Sequence, residues 1–482
     1  MKFARTTHMI LGLFMTFSFI ACASSNKRHV RTRSSAGPVA GGPTATRVPV
    51  ATSSTTNTSK SGSLTLTTSL SNSHVLMPGK GTLHVAIDLR AQKATGNKRL
   101  PMNLALVIDR SGSMRGDKIQ DARAAARHLM KQLSAKDRIA IISYADDVRV
   151  DLPSSLATAD LKKKAMEVIG KIQPGGSTNL SGGLFRGQDE VERHLAAGQV
   201  NRVILMSDGL ANRGLTDTKA ISQHVQKASQ RGVTSTTMGV GTDYNEDLMT
   251  AVADRAGGNY YFIQESKQIV HVFTEELRRM FSTVAQNTVM EIAIEDGVDL
   301  KQVFGYTFTR QNDKVTIPLA EIFGGQKRSI LLEVVVPLAK EGKVTVGQVT
   351  LNYDDVSAGL KPKTAQLALG VTVTKNAKLV ENNRNRTVEE RLGEVQVAQA
   401  IEQAADHLKN GRFGEAKRVL RAQQAMTASQ RDNLGGSARL DEQVQALKVL
   451  VSDFEAAEAA PAAAPSRATI KRAKAGAYKL KR

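Results

Sequence analysis

A single cysteine, Cys22, in 482 residues excludes internal disulfides, so the folded parts must be held by packing. Acidic residues are missing from both ends: none occurs in residues 1–62 or 466–482, which carry eight and seven Lys/Arg. Those ends supply most of the net charge of +21 and leave a mildly basic middle. Aromatics make up 4% of the chain, and the basic C-terminal end has one, Tyr478, where base stacking wants several. Nucleic acid is therefore not an expected partner. No apolar run approaches the roughly twenty residues that cross a bilayer. Catalytic signatures are also wanting. None of the nine histidines opens a His-Glu-x-x-His helix, and neither a Gly-x-x-x-x-Gly-Lys phosphate loop nor a Gly-x-Ser-x-Gly elbow occurs. No enzyme is expected, and a metal-dependent hydrolase ranks last among the function classes.

What is present begins with Lys2 and Arg5, a short apolar run over residues 9–20, and Ala21 before Cys22. This pattern predicts a secretory signal over residues 1–21. The stretch Phe19-Ile-Ala-Cys22 resembles a bacterial lipobox, which implies lipidation of Cys22 and a membrane anchor. Ala23 after it implies sorting to the outer membrane of a two-membrane bacterium. Residues 22–62 are rich in Ser, Thr, Gly and Pro, and read as a disordered linker. Forty such residues span about 35 Å root-mean-square. At the other end, residues 456–482 read as an Ala/Pro linker and a solvated basic tail. The functional alternative for that tail is attraction to anionic envelope polymers or phospholipid headgroups.

Between these ends lies the most informative stretch, Leu104-Ala-Leu-Val-Ile108 followed by Asp109-Arg-Ser111-Gly-Ser113. Five apolar residues in a row read as a strand buried on both faces. A carboxylate and two hydroxyls then emerge where open α/β sheets bind ligands. A turn-rich loop, Pro174-Gly-Gly-Ser-Thr178, offers another hydroxyl, and a second buried run, Val203-Ile-Leu-Met206, ends in Ser207-Asp208. Here residues 100–285 resemble the von Willebrand factor A domain, and these positions match its metal-ion-dependent adhesion site. The resemblance implies that Asp109, Ser111, Ser113, Thr178 and Asp208 hold a divalent cation. Hard oxygen ligands suit Mg²⁺ first, with Mn²⁺ or Ca²⁺ as alternatives. With two carboxylates at most, and one acting through water as the family pattern implies, the ion stays electrophilic. An Asp or Glu of a protein partner can then complete its coordination.

The expected fold class is α/β: a doubly wound, mostly parallel sheet, von Willebrand factor A or Rossmann-like, inserted in a β-sandwich and followed by a small helical region. Within residues 100–285, strands at 138–144, 233–239 and 259–263 alternate with helices at 160–172, 220–229, 245–256 and 268–284. Residues 63–99 hold two period-two strands and residues 286–375 hold six, so neither flank can close a sandwich alone. One sandwich interrupted by an inserted domain follows, since a domain's termini often neighbour each other. Residues 386–455 read as helices, with Thr387-Val-Glu-Glu390 as a capping box and Gly411 to Ala416 as the turn of a helix pair. The functional expectation is a cell-envelope lipoprotein that binds a protein partner through a divalent cation, in adhesion or complex assembly. The alternative is a structural or scaffolding envelope protein whose cation only stabilises the fold.

Overall fold

The computed structural model describes residues 56–94, 99–459 and 464–481. The expected signal segment, Cys22 and linker residues 22–55 lie outside the described residues. The first strands are β1 (Thr56–Ser61), β2 (Leu64–Leu70), β3 (His74–Leu76) and β4 (Gly79–Ala91). β1 corrects the linker expectation, because residues 56–61 pair antiparallel with β2 over their whole length. Its Ser/Thr-rich composition suits an edge strand, where hydroxyls meet across the ladder; Thr58 Oγ1 and Thr67 Oγ1 lie 3.1 Å apart.

An α/β unit follows: β5 (Met102–Asp109), α1 (Asp117–Gln132), β6 (Arg138–Tyr144), β7 (Val148–Leu156), α2 (Ala159–Lys171), α3 (Leu180–Glu192) and β8 (Val200–Ser207). It continues with α4 (Thr218–Gln230), β9 (Thr234–Val240), α5 (Glu246–Arg255), β10 (Tyr260–Ile263) and α6 (Ile269–Phe281). The sheet order is β10-β9-β8-β5-β6-β7, parallel except for the antiparallel edge β7. All eight residues of β5 and of β8 are buried, as continuous apolar runs between two helical layers should be. Leu104, Leu106 and Ile108 face α1, α2 and α6, while Ala105 and Val107 face α3, α4 and α5. β7 has no sequence signature because it is a half-exposed edge, where its Pro153 is tolerated.

The remaining strands are β11 (Thr283–Ile294), β12 (Asp299–Phe304), β13 (Thr309–Gln311), β14 (Lys314–Phe323), β15 (Lys327–Leu338), β16 (Gly342–Asp355) and β17 (Lys361–Thr374). β11 corrects the closing-helix expectation. The helix stops at Phe281, and the β-branched pair Thr283 and Val284 already belongs to the sheet. Two sheets form, ordered β1-β2-β4-β15-β12 and β13-β14-β11-β16-β17-β3. Each contains strands from both sides of the α/β unit. The pairing of β4 with β15 runs from Gly79 opposite Leu338 to Arg90 opposite Lys327. Leu64, Leu66, Val85 and Ile87 from one flank share a core with Ile292, Ile317, Val349 and Leu351 from the other. The inserted arrangement follows directly from this shared core.

A buried charge network fastens the insert at its base. Arg202 of β8 donates to Glu276 of α6 at 2.6 Å and to Glu321 of β14 at 2.8 Å. Thr236 Oγ1 and Tyr261 Oη also donate to Glu276, at 2.6 and 2.7 Å. Burial alone would raise the Glu276 carboxyl; Arg202 and these hydroxyls hold it below its ordinary value.

Beyond the sandwich run α7 (Ala377–Asn382), α8 (Arg386–Lys409), α9 (Phe413–Asn433), α10 (Ala438–Ala459) and α11 (Ala464–Leu480). The N-cap of α8 is Asn385, whose side chain accepts from the Val388 N–H, so the expected capping box at Thr387 lies inside the helix. Val388 and Val395 of α8 pack on Ala86, Phe304 and Leu331 of the five-stranded sheet. Farther along, Val397, Ile401 and Leu408 join Leu420, Leu447, Phe454 and Ala477 of α9, α10 and α11.

α11 corrects the solvated-tail expectation. The segment has no acid of its own, but other elements supply the acids its cations need. Lys471 is buried and donates to Glu246 Oε2 at 2.7 Å; Lys474 meets Asp247 and Asp406 at 2.5 and 2.8 Å. Lys481 meets Glu402 at 2.6 Å, and Tyr478 packs edge-on against Tyr260 of β10. Lys471, Lys474 and Lys481 are thereby engaged inside the protein. Among the described residues no helix is long and apolar enough to cross a membrane.

Candidate metal centre

The α/β sheet reverses its winding between β5 and β8, and the crevice at their carboxyl ends is where such folds bind ligands. Asp109 is the last residue of β5, in register with Tyr144 of β6, and Asp208 directly follows β8. Both carboxylates are fully buried. The Asp109 loop is tied to the Thr178 loop through the backbone: Gly112 N–H donates to the Gly176 carbonyl at 2.9 Å, and Gly175 N–H to the Arg110 carbonyl at 2.8 Å. Gly176 has φ +80°, a conformation that favours glycine. Its backbone therefore turns in toward the first loop.

These constraints bring all five sequence-predicted residues together. Ser111 Oγ and Ser113 Oγ lie 3.0 Å apart, and Ser113 Oγ donates to Asp208 Oδ1 at 2.7 Å. Asp109 Oδ1 accepts from the Ser111 N–H at 2.8 Å, while its Oδ2 accepts from Ser207 Oγ at 2.8 Å and Tyr144 Oη at 3.3 Å. Gly209 marks the centre. A Cβ placed there would stand 3.2 Å from Thr178 Oγ1, 3.3 Å from Ser113 Oγ and 4.0 Å from Ser111 Oγ. Three hydroxyls thus face one point beside a residue with no side chain. Among the described residues no cluster of three or more His, Cys, Asp or Glu is placed to hold a metal. An ion held here must take most of its ligands from hydroxyls, a donor set that fits a hard cation.

Burial pushes the Asp109 carboxyl up to about 6, with the Asp208 charge adding to the rise and the Ser111 and Ser207 donors opposing it. Burial also raises Tyr144 well above its ordinary value, and Asp109 adds to the effect, so its hydroxyl stays a donor.

Residues 103–275 match the family model of the von Willebrand factor type A domain. The α/β unit has the von Willebrand factor A fold. The uncharacterised protein YfbK of Escherichia coli (strain K12) is 34% identical over 208 residues, covering 43% of this chain and 36% of YfbK. The uncharacterised protein sll0103 of Synechocystis is 25% identical over 288 residues, covering 58% of this chain and 67% of that protein. The chain thus spans about a third of YfbK and two thirds of sll0103. Human inter-alpha-trypsin inhibitor heavy chain H4 is 30% identical over 169 residues, covering 34% of this chain and 18% of its own length. Among solved structures, a von Willebrand factor type A protein from Catenulispora acidiphila matches with TM-score 0.63 at 18% identity, over 76% of this chain and 89% of its own. The ArnB paralog VWA2 from Sulfolobus acidocaldarius matches with TM-score 0.57 at 18% identity, over 86% and 99%. At these identities the two structures establish the fold alone.

Sequence reasoning missed three participants at the A domain's crevice. Lys118, in the first turn of α1, donates to Asp208 Oδ2 at 2.6 Å, so both oxygens of that carboxylate have partners. Asn212 Oδ1 accepts from the Thr178 N–H at 2.8 Å, and the Thr178 carbonyl accepts from Asn212 and Arg213 N–H at 3.2 and 3.3 Å. That reciprocal clasp fixes the threonine. Tyr144 donates to the Met206 carbonyl at 3.0 Å, bridging the ends of β6 and β8 across β5. Only Tyr144, the last residue of β6, has a positional signal in the sequence; Lys118 sits in α1 and Asn212 in the loop after β8. Cys22 lies outside the described residues.

Proposed function

We propose that this protein is a cell-envelope lipoprotein whose A domain binds a protein partner through a divalent cation. The observation that carries the reading is the convergence of Ser111, Ser113 and Thr178 hydroxyls at Gly209, backed by Asp109 and Asp208. These five residues would hold the ion, Mg²⁺ first and Mn²⁺ or Ca²⁺ otherwise. Bound there, it would supply an electropositive position that a partner's Asp or Glu carboxylate can occupy. Asp109 and Asp208 each have both oxygens engaged by protein donors, which supports a role through water for one of them and supports recognition over catalysis. Cys22 would carry the lipid, and the outer membrane is the proposed location.

A second reading, a scaffold whose cation only stabilises the fold, is favoured by one observation: Lys118 already neutralises Asp208. Capture from detergent-solubilised envelope in Mg²⁺ and in EDTA separates the two. Partner binding is expected in Mg²⁺ and lost in EDTA while circular dichroism shows the fold unchanged. Binding that persists in EDTA, or in Asp109→Ala, would sink the ligation reading and leave the scaffold.

A further inference from the structure

The loop leaving the cation site leads into a cleft. Leu210, two residues past Asp208, is 59% exposed and forms one wall of a cavity of about 450 Å³. Tyr244 and Asn245, between β9 and α5, line its floor. The far wall comes from outside the A domain: Leu408 of α8, Phe413 of α9 and Ile470 of α11. Tyr244 belongs to the A-domain core, and the other three belong to the helical core or its margin. Apolar side chains of both bodies thus face a common gap. Its volume falls within the roughly 300–1,000 Å³ of ligand pockets, more than a single side chain needs.

The cleft itself is neutral: Arg467 meets Asp243, Lys471 meets Glu246 and Lys409 meets Asp247. A divalent ion among Asp109, Asp208 and Lys118 would leave one positive charge at the cation site, beside the apolar walls of the cleft. The two sites are joined by Gly209 and Leu210, so they lie a few residue lengths apart. An extended chain covers at most roughly 3.3–3.6 Å per residue. A peptide two to four residues long would bridge them.

Resting on the ligation reading above, we propose that the cation site and this cleft form one recognition surface for an extended segment of a protein partner. Its Asp or Glu meets the ion, and a large apolar side chain, two to four residues away, enters the cleft. The C-terminal helices thereby supply half of the specificity of the A domain. Apolar contact gives the acid a context, which a lone carboxylate on an ion would lack.

The test is a selection of random heptapeptides displayed on phage, with the full chain immobilised in Mg²⁺, eluted first with EDTA and then with acid. The EDTA fraction is expected to carry Asp or Glu with Leu, Ile, Phe or Met two to four positions away. A synthetic copy of the selected peptide should lose about tenfold or more in affinity on Leu210→Ser and on Phe413→Ser, as anchor contacts in a desolvated pocket do. Mg²⁺ affinity of Leu210→Ser, by calorimetry, should not change. Acidic peptides with no apolar preference would overturn the shared surface and leave ligation standing. Apolar peptides found only in the acid eluate would overturn it and make the cleft an independent pocket. Mg²⁺-dependent dimerisation that the peptide fails to displace would overturn it in favour of a second copy of the chain. No enrichment of acids in either eluate would remove the ligation reading itself.

Discussion

Lys118 Nζ stands 2.6 Å from Asp208 Oδ2, and Asp208 is fully buried. The ammonium therefore does for this carboxylate what a metal ion would do. At an effective dielectric of about 20, an ammonium a few ångströms from a divalent ion repels it by on the order of several kcal/mol. Lys118→Met should raise Mg²⁺ affinity about tenfold, a little over 1 kcal/mol after relaxation. In EDTA the same variant should melt at lower temperature, because Asp208 is left buried without its partner. Calorimetric titration and thermal denaturation check the two halves. A fall in affinity would mean instead that Lys118 positions Asp208 for the ion.

Asp109 predicts a pH dependence. Its folded value of about 6 lies above the ordinary value of 3.8, so the fold prefers the protonated acid. The native state then binds more protons than the unfolded chain between about pH 4 and pH 6, and stability drains away as pH rises through that window. The loss is on the order of 3 kcal/mol. Compared in EDTA from pH 4 to 7, wild type should lose stability relative to Asp109→Asn. Cation affinity should run the other way, weakening as pH falls through about 6, since a protonated carboxyl offsets no charge.

The Arg202 network gives a third expectation. Breaking a buried ion pair outright costs roughly 3–5 kcal/mol; Arg202 has two carboxylates, so losing one should cost about 2 kcal/mol. Glu321→Ala removes the carboxylate that ties Arg202 to β14 of the sandwich and leaves it Glu276 inside the A domain. Urea unfolding should show a loss of that size, and coupled unfolding of the A domain and sandwich should separate into two transitions. A single transition at unchanged midpoint would contradict the role given to Arg202.

The C-terminal helix can be tested through Lys471. In Lys471→Ala, Glu246 keeps Lys409 and Lys474 at 3.4 and 3.6 Å. The cost should then be about 2 kcal/mol, below that of a pair broken outright. A solvated tail would show no change.

The contrast between α11 and β5 says what can be read from a chain and what cannot. β5 and β8 are legible because burial on both faces forces continuous apolar runs, and the loops after them carry residue types with one obvious use. α11 is illegible because Lys471 and Lys474 find Glu246, Asp247 and Asp406 only after folding. β1 and β7 are edge strands, paired on one side, so their sequences answer weakly to burial. Lys118 and Asn212 follow the same rule: one sits in a helix and the other in a loop, and only the crevice makes them neighbours of Asp208 and Thr178.

The pairing of β4 with β15 sets an order in time. Arg90 and Lys327 are more than two hundred residues apart along the chain, and they meet as neighbours in one ladder. Contacts at such separation form late, after the entropy of closing the loop has been met. The A domain lies entirely within that loop, and its parallel strands are joined through short local helices. It should complete itself first and, by drawing residues 102 and 281 to one end, bring the two halves of the sandwich within reach. Until then, β1, β2 and β4 wait with an unpaired edge. During synthesis that half-sheet is the point where a chaperone or a protease would find this chain.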